Sequence, residues 1–286
     1  MRVRAAGLNG ADLHQLAGRY PAPPGSPPDI PGMELAGEVA ERGPGADRFA
    51  EGDRVMALVG GGAQAELAVA HERLLMPVPA SLDWPSAGGL PEVFTTAHDA
   101  LLTQAGLQPG ERLLVHGGAG GVGTAAIQLG VAAGANVTAT VRNHAHHQDV
   151  AALGATPTDP EGFADHGPFD VVLELVGAPN LAQNLDALAL GGRITVIGVG
   201  AGAKADLNLL ALMGKRARIH GSTMRARPLE EKALMVRLVE HHVLPLFERG
   251  LVRVPVAATY PLGEAKAAYE RFAAGAKLGK IVLTMD

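Results

Sequence analysis

From about residue 94 the chain alternates between short runs that are apolar at nearly every position and longer stretches of helical character. "RLLVHG", "NVTATV", "FDVVLELVG" and "GRITVIGVG" are separated by "GVGTAAIQLGVAAG", "HHQDVAALG" and "NLAQNLDALALG". A strand that is apolar on both faces must be covered on both faces. Alternation with helices supplies that cover, so residues 93–253 are expected to form a doubly wound, Rossmann-type parallel sheet in an α/β protein. Residues 1–92 have a different texture. They are rich in Pro and Gly and carry short β-like runs at 35–40, 53–58 and 65–70, which predicts a mostly β domain. The last segment, 254–286, is read as strand, helix and closing strand.

The first strand of the alternating part breaks into glycines in "LLVHGGAGGVGTAAIQLG", residues 113–130. Gly118, Gly120 and Gly123 make G-x-G-x-x-G, Gly117 extends the run, and Gly121 and Val122 complete the turn. Such glycines permit a tight strand-to-helix turn and let a pyrophosphate approach the backbone at a helix N-terminus. The pattern predicts a dinucleotide site. A second strand, about 20 residues on, indicates which dinucleotide. An NAD site ends that strand in Asp or Glu, whereas here Arg142 and Asn143 follow it and no carboxylate comes before Asp149. A guanidinium suits a 2'-phosphate, so NADPH is the expected cofactor. His144, His146 and His147 follow, but with no carboxylate arranged beside them in sequence no metal site is expected.

Composition removes other classes. The net charge is -5, against a polybasic nucleic-acid binder, and no cysteine is present, which excludes disulfides and thiolate zinc sites. No membrane partner is expected, because the most apolar stretch, 185–203, is interrupted by Arg193 and glycines. The start lacks an apolar signal region, which makes cytoplasm the expected location.

Several stretches together resemble the zinc-independent quinone oxidoreductase branch of the medium-chain dehydrogenase/reductase superfamily, of the zeta-crystallin-like type. They are "VRAAGLNGADL" (3–13), "GRYPAPPG" (18–25), "PGMELAGEV" (31–39), "GDRVMAL" (52–58), "LPEVFTTAHDAL" (90–101), "GGAGGVGTAAIQL" (117–129), "GSTMRARPLEEK" (221–232) and "GKIVL" (279–283). The resemblance implies a GroES-like catalytic domain from 1–92 plus 254–286 and a cofactor domain at 93–253. Where zinc-dependent relatives carry a Cys and a His before Glu, this chain has Asn9 and Met33. It further implies that Asn9 and Tyr20 lie near the nicotinamide and can donate to an oxygen gaining negative charge. Thr96, Gly177, Gly198 and Lys280 are implied to border the cofactor, while Asp12 is read as a helix-capping residue.

The chain departs from that pattern at His14, His146 and Pro160, where the branch often has Tyr, Lys and Tyr. His14 is retained as a candidate proton donor and His146 as a neighbour of the 2'-phosphate. Relatives also carry a strand-forming segment before the equivalent of "RVRAAGLN", so the first domain is expected to lack its usual N-terminal strands. The expected function is NADPH-dependent, zinc-free hydride transfer to a quinone. The alternatives are reduction of an enoyl thioester or alkenal C=C bond, and a non-catalytic NADPH-binding structural or sensor protein. A homodimer through residues 218–224 is expected from the superfamily's habit of pairing its last cofactor-domain strand.

Overall fold

The computed structural model describes residues 1–286. It has twelve strands: β1 (Arg2–Gly7), β2 (Glu34–Glu38), β3 (Arg54–Leu58), β4 (Leu75–Pro77), β5 (Arg112–Val115), β6 (Asn136–Thr140), β7 (Thr156–Thr158), β8 (Phe169–Glu174), β9 (Leu188–Val196), β10 (Arg218–Gly221), β11 (Val256–Pro261) and β12 (Lys280–Thr284). They form two six-stranded sheets, one in each of two compact units.

The first unit comprises 1–95 and 224–286. Its sheet runs β11-β12-β1-β2-β3-β4, antiparallel except for the parallel β11/β12 pair. β1 therefore lies inside the sheet, paired on both sides. The run 65–70 forms no strand. It contributes one bridge, Leu67 to Arg2, and Val69 is fully exposed. The core of this unit gathers Val3, Leu8, Leu35, Val55, Ile281 and Leu283. Each such aliphatic side chain contributes about 1.5–3 kcal/mol on burial.

The boundary expected at 253/254 falls earlier. The segment from Met224 packs with the first unit because its apolar face needs that cover: Met224 and Met235 join Leu58. Polar contacts agree, with Arg48 bonded to Glu240 at 2.6 Å and Arg73 to Glu230 at 2.6 Å. The helical pattern over 228–250 is broken into Leu229–His242 and Leu244–Glu248, with Pro245 in the first turn of the second helix.

The second unit, 96–223, is the expected doubly wound sheet, wholly parallel, in the order β10-β9-β8-β5-β6-β7. Counted within the unit this is strand order 3-2-1-4-5-6 reversed. The order switches direction between β5 and β8, and in such sheets ligands bind beyond the carboxyl ends of the strands at that point. No helix of the protein is long and apolar enough to cross a membrane.

Candidate functional site

The glycine turn follows β5 at this switch point. Gly117 has φ +69°, a left-handed conformation that L side chains rarely adopt. At Gly123 a Cβ would collide with the backbone of Gly117 and Gly118, so only glycine lets the helix Gly121–Ala132 start this close to the strand. The fingerprint positions Gly118, Gly120, Gly121 and Val122 lie in the same turn. No side chain caps the helix N-terminus at Gly120, so its first-turn N–H groups have no side-chain acceptor. This turn fits a pyrophosphate.

Behind it lies a buried hydrogen-bond chain that sequence reasoning missed. Gly117 N donates to Thr140 Oγ1 at 3.1 Å, and that hydroxyl faces His116 Nδ1 at 3.2 Å. His116 Nε2 is 2.6 Å from Asn184 Oδ1, and Asn184 Nδ2 donates to Glu174 Oε2 at 2.8 Å. Glu174 Oε1 then accepts from the backbone of Val176 and Gly177 at 2.6 and 2.8 Å. The amide oxygen of Asn184 can only accept, so His116 carries its proton on Nε2 and accepts at Nδ1 from Thr140. Burial lowers the His116 pKa, with the Glu174 charge opposing, in keeping with a neutral ring. The chain joins the glycine turn to the loop after β8. There Gly177 has φ +119°, and Gly198 abuts Leu175 too closely to accommodate a Cβ. Gly198 is thus required by packing. Only burial at the carboxyl ends of β5 and β8 could have singled out His116 and Glu174, and that depends on the strand order.

At the end of β6, Arg142 is exposed and no carboxylate pairs with it. Asn143 caps the following turn, its Oδ1 accepting from Ala145 N at 3.1 Å, which leaves its Nδ2 donor available. His146 faces Asp149 at 3.4 Å through Nδ1, while its Nε2 is buried without a partner. A carboxylate does stand beside this histidine cluster, contrary to the sequence reading: Asp159, delivered by β7, lies 3.3 Å from His144. It escaped notice because only the parallel pairing of β6 and β7 brings position 159 there.

In the first unit Asn9 is buried and precedes the helix Gly10–Leu16. Its Oδ1 accepts from Lys280 Nζ at 2.7 Å, and its Nδ2 donates to Glu34 Oε1 at 2.9 Å and makes a long 3.4 Å contact to Gly7 O. One amide N–H is committed to Glu34, and the other, fixed in direction by the same amide plane, makes only the long contact to Gly7 O. The Lys280 ammonium uses all three donors, on Leu8 O at 2.6 Å, Asn9 Oδ1 and Glu34 Oε1 at 2.6 Å. This corrects its expected part: with no donor left for a cofactor, it fixes the Asn9 amide. Asp12 accepts from Asn9 N at 2.8 Å and from Gln64 at 3.3 Å, the structural role expected of it. Burial pushes its pKa up to about 6, opposed by the Asn9 N–H and by Lys280.

Tyr20 is half-buried. Its ring lies 5.1 Å beneath the Arg225 guanidinium, and its carbonyl accepts from Arg225 Nη1 at 3.1 Å. Arg225, itself buried, also binds Gly60 O at 2.7 Å and Gln15 Oε1. The loop is therefore clamped while the Tyr20 hydroxyl has no bonded partner. Burial raises the Tyr20 pKa, so the phenol keeps its proton at neutral pH. The His14 carbonyl accepts from the backbone of Arg19 and Tyr20, and its imidazole has no bonded partner. Thr96 is buried on the helix Pro91–His98, and the adjacent Thr95 hydroxyl is buried without a partner.

Comparison with known proteins matches two family models, "Zinc-binding dehydrogenase" over residues 131–283 and "Alcohol dehydrogenase GroES-like domain" over 1–80. The quinone oxidoreductase of Rattus norvegicus is 30% identical over 302 residues, covering 100% of this chain and 88% of its own. The chain belongs to the medium-chain dehydrogenase/reductase superfamily, in its quinone oxidoreductase-like branch. An alcohol dehydrogenase superfamily protein from Novosphingobium aromaticivorans superposes with TM-score 0.88 at 32% identity, covering 100% of this chain and 91% of that one. The spectinabilin polyketide synthase system protein NorB of Streptomyces orinoci is 35% identical over 293 residues, but the chain spans only 13% of its length. Membership makes this chain an oxidoreductase using a pyridine nucleotide, and the glycine turn fits one. The residues do not fit the catalytic zinc that the first family description implies. No cysteine is present, Asn9 and Met33 stand where the family resemblance would place zinc ligands, and the Glu34 carboxylate is already paired with an ammonium.

Proposed function

We propose that the chain is an NADPH-dependent, zinc-free oxidoreductase whose acceptor is a quinone. The observation that carries the cofactor choice is the end of β6, where an unpaired Arg142 and the free Nδ2 of Asn143 stand in place of a carboxylate. Bound there, NADPH would supply the hydride. The protein's own contribution is to hold hydrogen-bond donors toward the acceptor: the protonated Tyr20 hydroxyl and the Asn9 N–H that makes only a long contact stabilise negative charge developing on a carbonyl oxygen.

The quinone reading is supported by relatives named quinone oxidoreductase that align along nearly their whole length. It is also supported by the scarcity of cations in residues 1–92, which contain seven Arg and no Lys with which to grip a phosphate-bearing carrier arm. The polyketide synthase matches favour a second reading, reduction of an enoyl thioester. A panel of quinones, enones and enoyl thioesters assayed with NADPH separates the two. Turnover of ortho- or para-quinones with little thioester reduction is expected, and the reverse would overturn the acceptor assignment. Tyr20→Phe is expected to lower kcat about tenfold, the effect of one hydrogen bond of about 1–1.5 kcal/mol. An unchanged kcat would return Tyr20 to packing.

A further inference from the structure

We propose that His144, His147 and Asp159 form a binding site for one divalent transition-metal ion. His144 opens the turn after β6 and His147 begins the helix His147–Ala151, three residues on, so the two imidazoles lie on one side of the turn. Their centroids are 4.7 Å apart with planes inclined by 33°. The carboxylate arrives from β7: Asp159 Oδ1 is 3.3 Å from His144 Nε2 and 3.8 Å from His147 Nε2. All three ligand atoms lie within 4.8 Å of one another. Bonds of about 2.0–2.2 Å in tetrahedral geometry separate ligand atoms by about 3.4 Å, so small side-chain movements complete the triad.

His147 Nε2 lies 3.0 Å from Val141 O and 3.8 Å from Asp159 Oδ1, so as a donor it serves the carbonyl, and to ligate an ion it must release that proton. An ion bound by Nε2 takes the place of that proton, with the Asp159 carboxylate and the Val141 carbonyl facing its charge. His144 is 74% exposed at its side chain, which gives an ion a route in from solvent and leaves room for water at the remaining positions. Two imidazoles and one carboxylate select Zn²⁺, Ni²⁺ or Co²⁺ over the oxygen-seeking Mg²⁺ and Ca²⁺. None of these ligands belongs to the set assigned to the reaction, so the site is compatible with zinc-free chemistry.

The test uses the full, untagged chain, stripped with chelator and titrated with Zn²⁺, Ni²⁺ and Mg²⁺ by isothermal calorimetry. One equivalent of Zn²⁺ or Ni²⁺ should bind saturably, and Mg²⁺ should not. His144→Ala and Asp159→Asn should each weaken binding at least about tenfold. Both side chains are exposed, so neither change disturbs the core, and unfolding of the metal-free variants provides the control. Absence of saturable binding by the wild type, or wild-type affinity in both variants, would overturn the proposal.

Discussion

Arg142 bears on cofactor choice through the company it lacks. The nearby carboxylates, Asp149 and Asp159, are turned toward His146 and toward His144 and His147, so the guanidinium remains free for an anion. Arg142→Asp should weaken NADPH binding about 10 to 150-fold, the equivalent of a charge-assisted bond of about 1.5–3 kcal/mol, and erode or invert the preference over NADH. Fluorescence titration with both nucleotides checks this, and an unchanged ratio counts against the placement. Asp12 sets a different single-residue expectation. Its folded pKa, about 6, lies above the unfolded value of 3.8, so the fold binds its proton more tightly. The associated stability is present below about 4 and is lost as pH rises through 6, by roughly 3 kcal/mol at most. Asp12→Asn removes that loss, so the variant should gain on the wild type in Tm as pH rises from 4 to 7. His116, with its lowered pKa, acts oppositely, losing stability as pH falls below about 6.5, but it does so equally in both proteins. A Tm difference that stays flat with pH would show that Asp12 is ionised in the fold at no cost.

At the scale of elements, the chain Gly117–Thr140–His116–Asn184–Glu174–Gly177 ties the ends of β5, β6 and β8 together beneath the expected cofactor. Thr140→Val preserves shape but strands the Gly117 N–H and His116 Nδ1. It should raise the Kd for NADPH about tenfold, consistent with about 1–3 kcal/mol for an unpaired buried group, while leaving the NADPH to NADH ratio unchanged. Unaltered affinity would mean that the turn holds its shape through its glycines alone. These elements also show what the sequence could reveal. The glycine turn, the parallel alternation and the capping role of Asp12 were legible because each depends on local periodicity or on residues a few positions apart. Lys280, Arg225 and Asp159 were misjudged or missed because their partners lie on strands and loops far away in sequence. Arg193 is the clearest case. It interrupts the most apolar run and looks foreign to a central strand, yet it is buried and pairs with Glu111 at 2.7 Å while Nε caps Ala105 O. Its environment is set by the neighbouring strands, which no window around 193 contains.

At the scale of the whole molecule, one feature of the second unit lacks cover. β10 is paired only to β9, and its other flank presents an edge of the sheet. Beside it the helix Leu209–Lys215 packs Ala211 and Leu212 inward, yet Leu209, Leu210 and Met213 are 64%, 78% and 71% exposed, with Leu190 at 62%. A helix apolar on both faces is normally buried on both, and an unprotected edge strand is a template for another strand. A second copy of this chain answers both needs through one two-fold axis, since the patch and the edge are then self-complementary. We therefore expect a homodimer through 218–224 and the outer face of 209–213. Sedimentation should give a dimer at micromolar concentration, and the double variant Leu210→Glu, Met213→Glu should give a folded monomer, because both side chains point to solvent within the subunit. A wild-type monomer would refute the assembly. A double variant that stays dimeric would move the interface away from this helix.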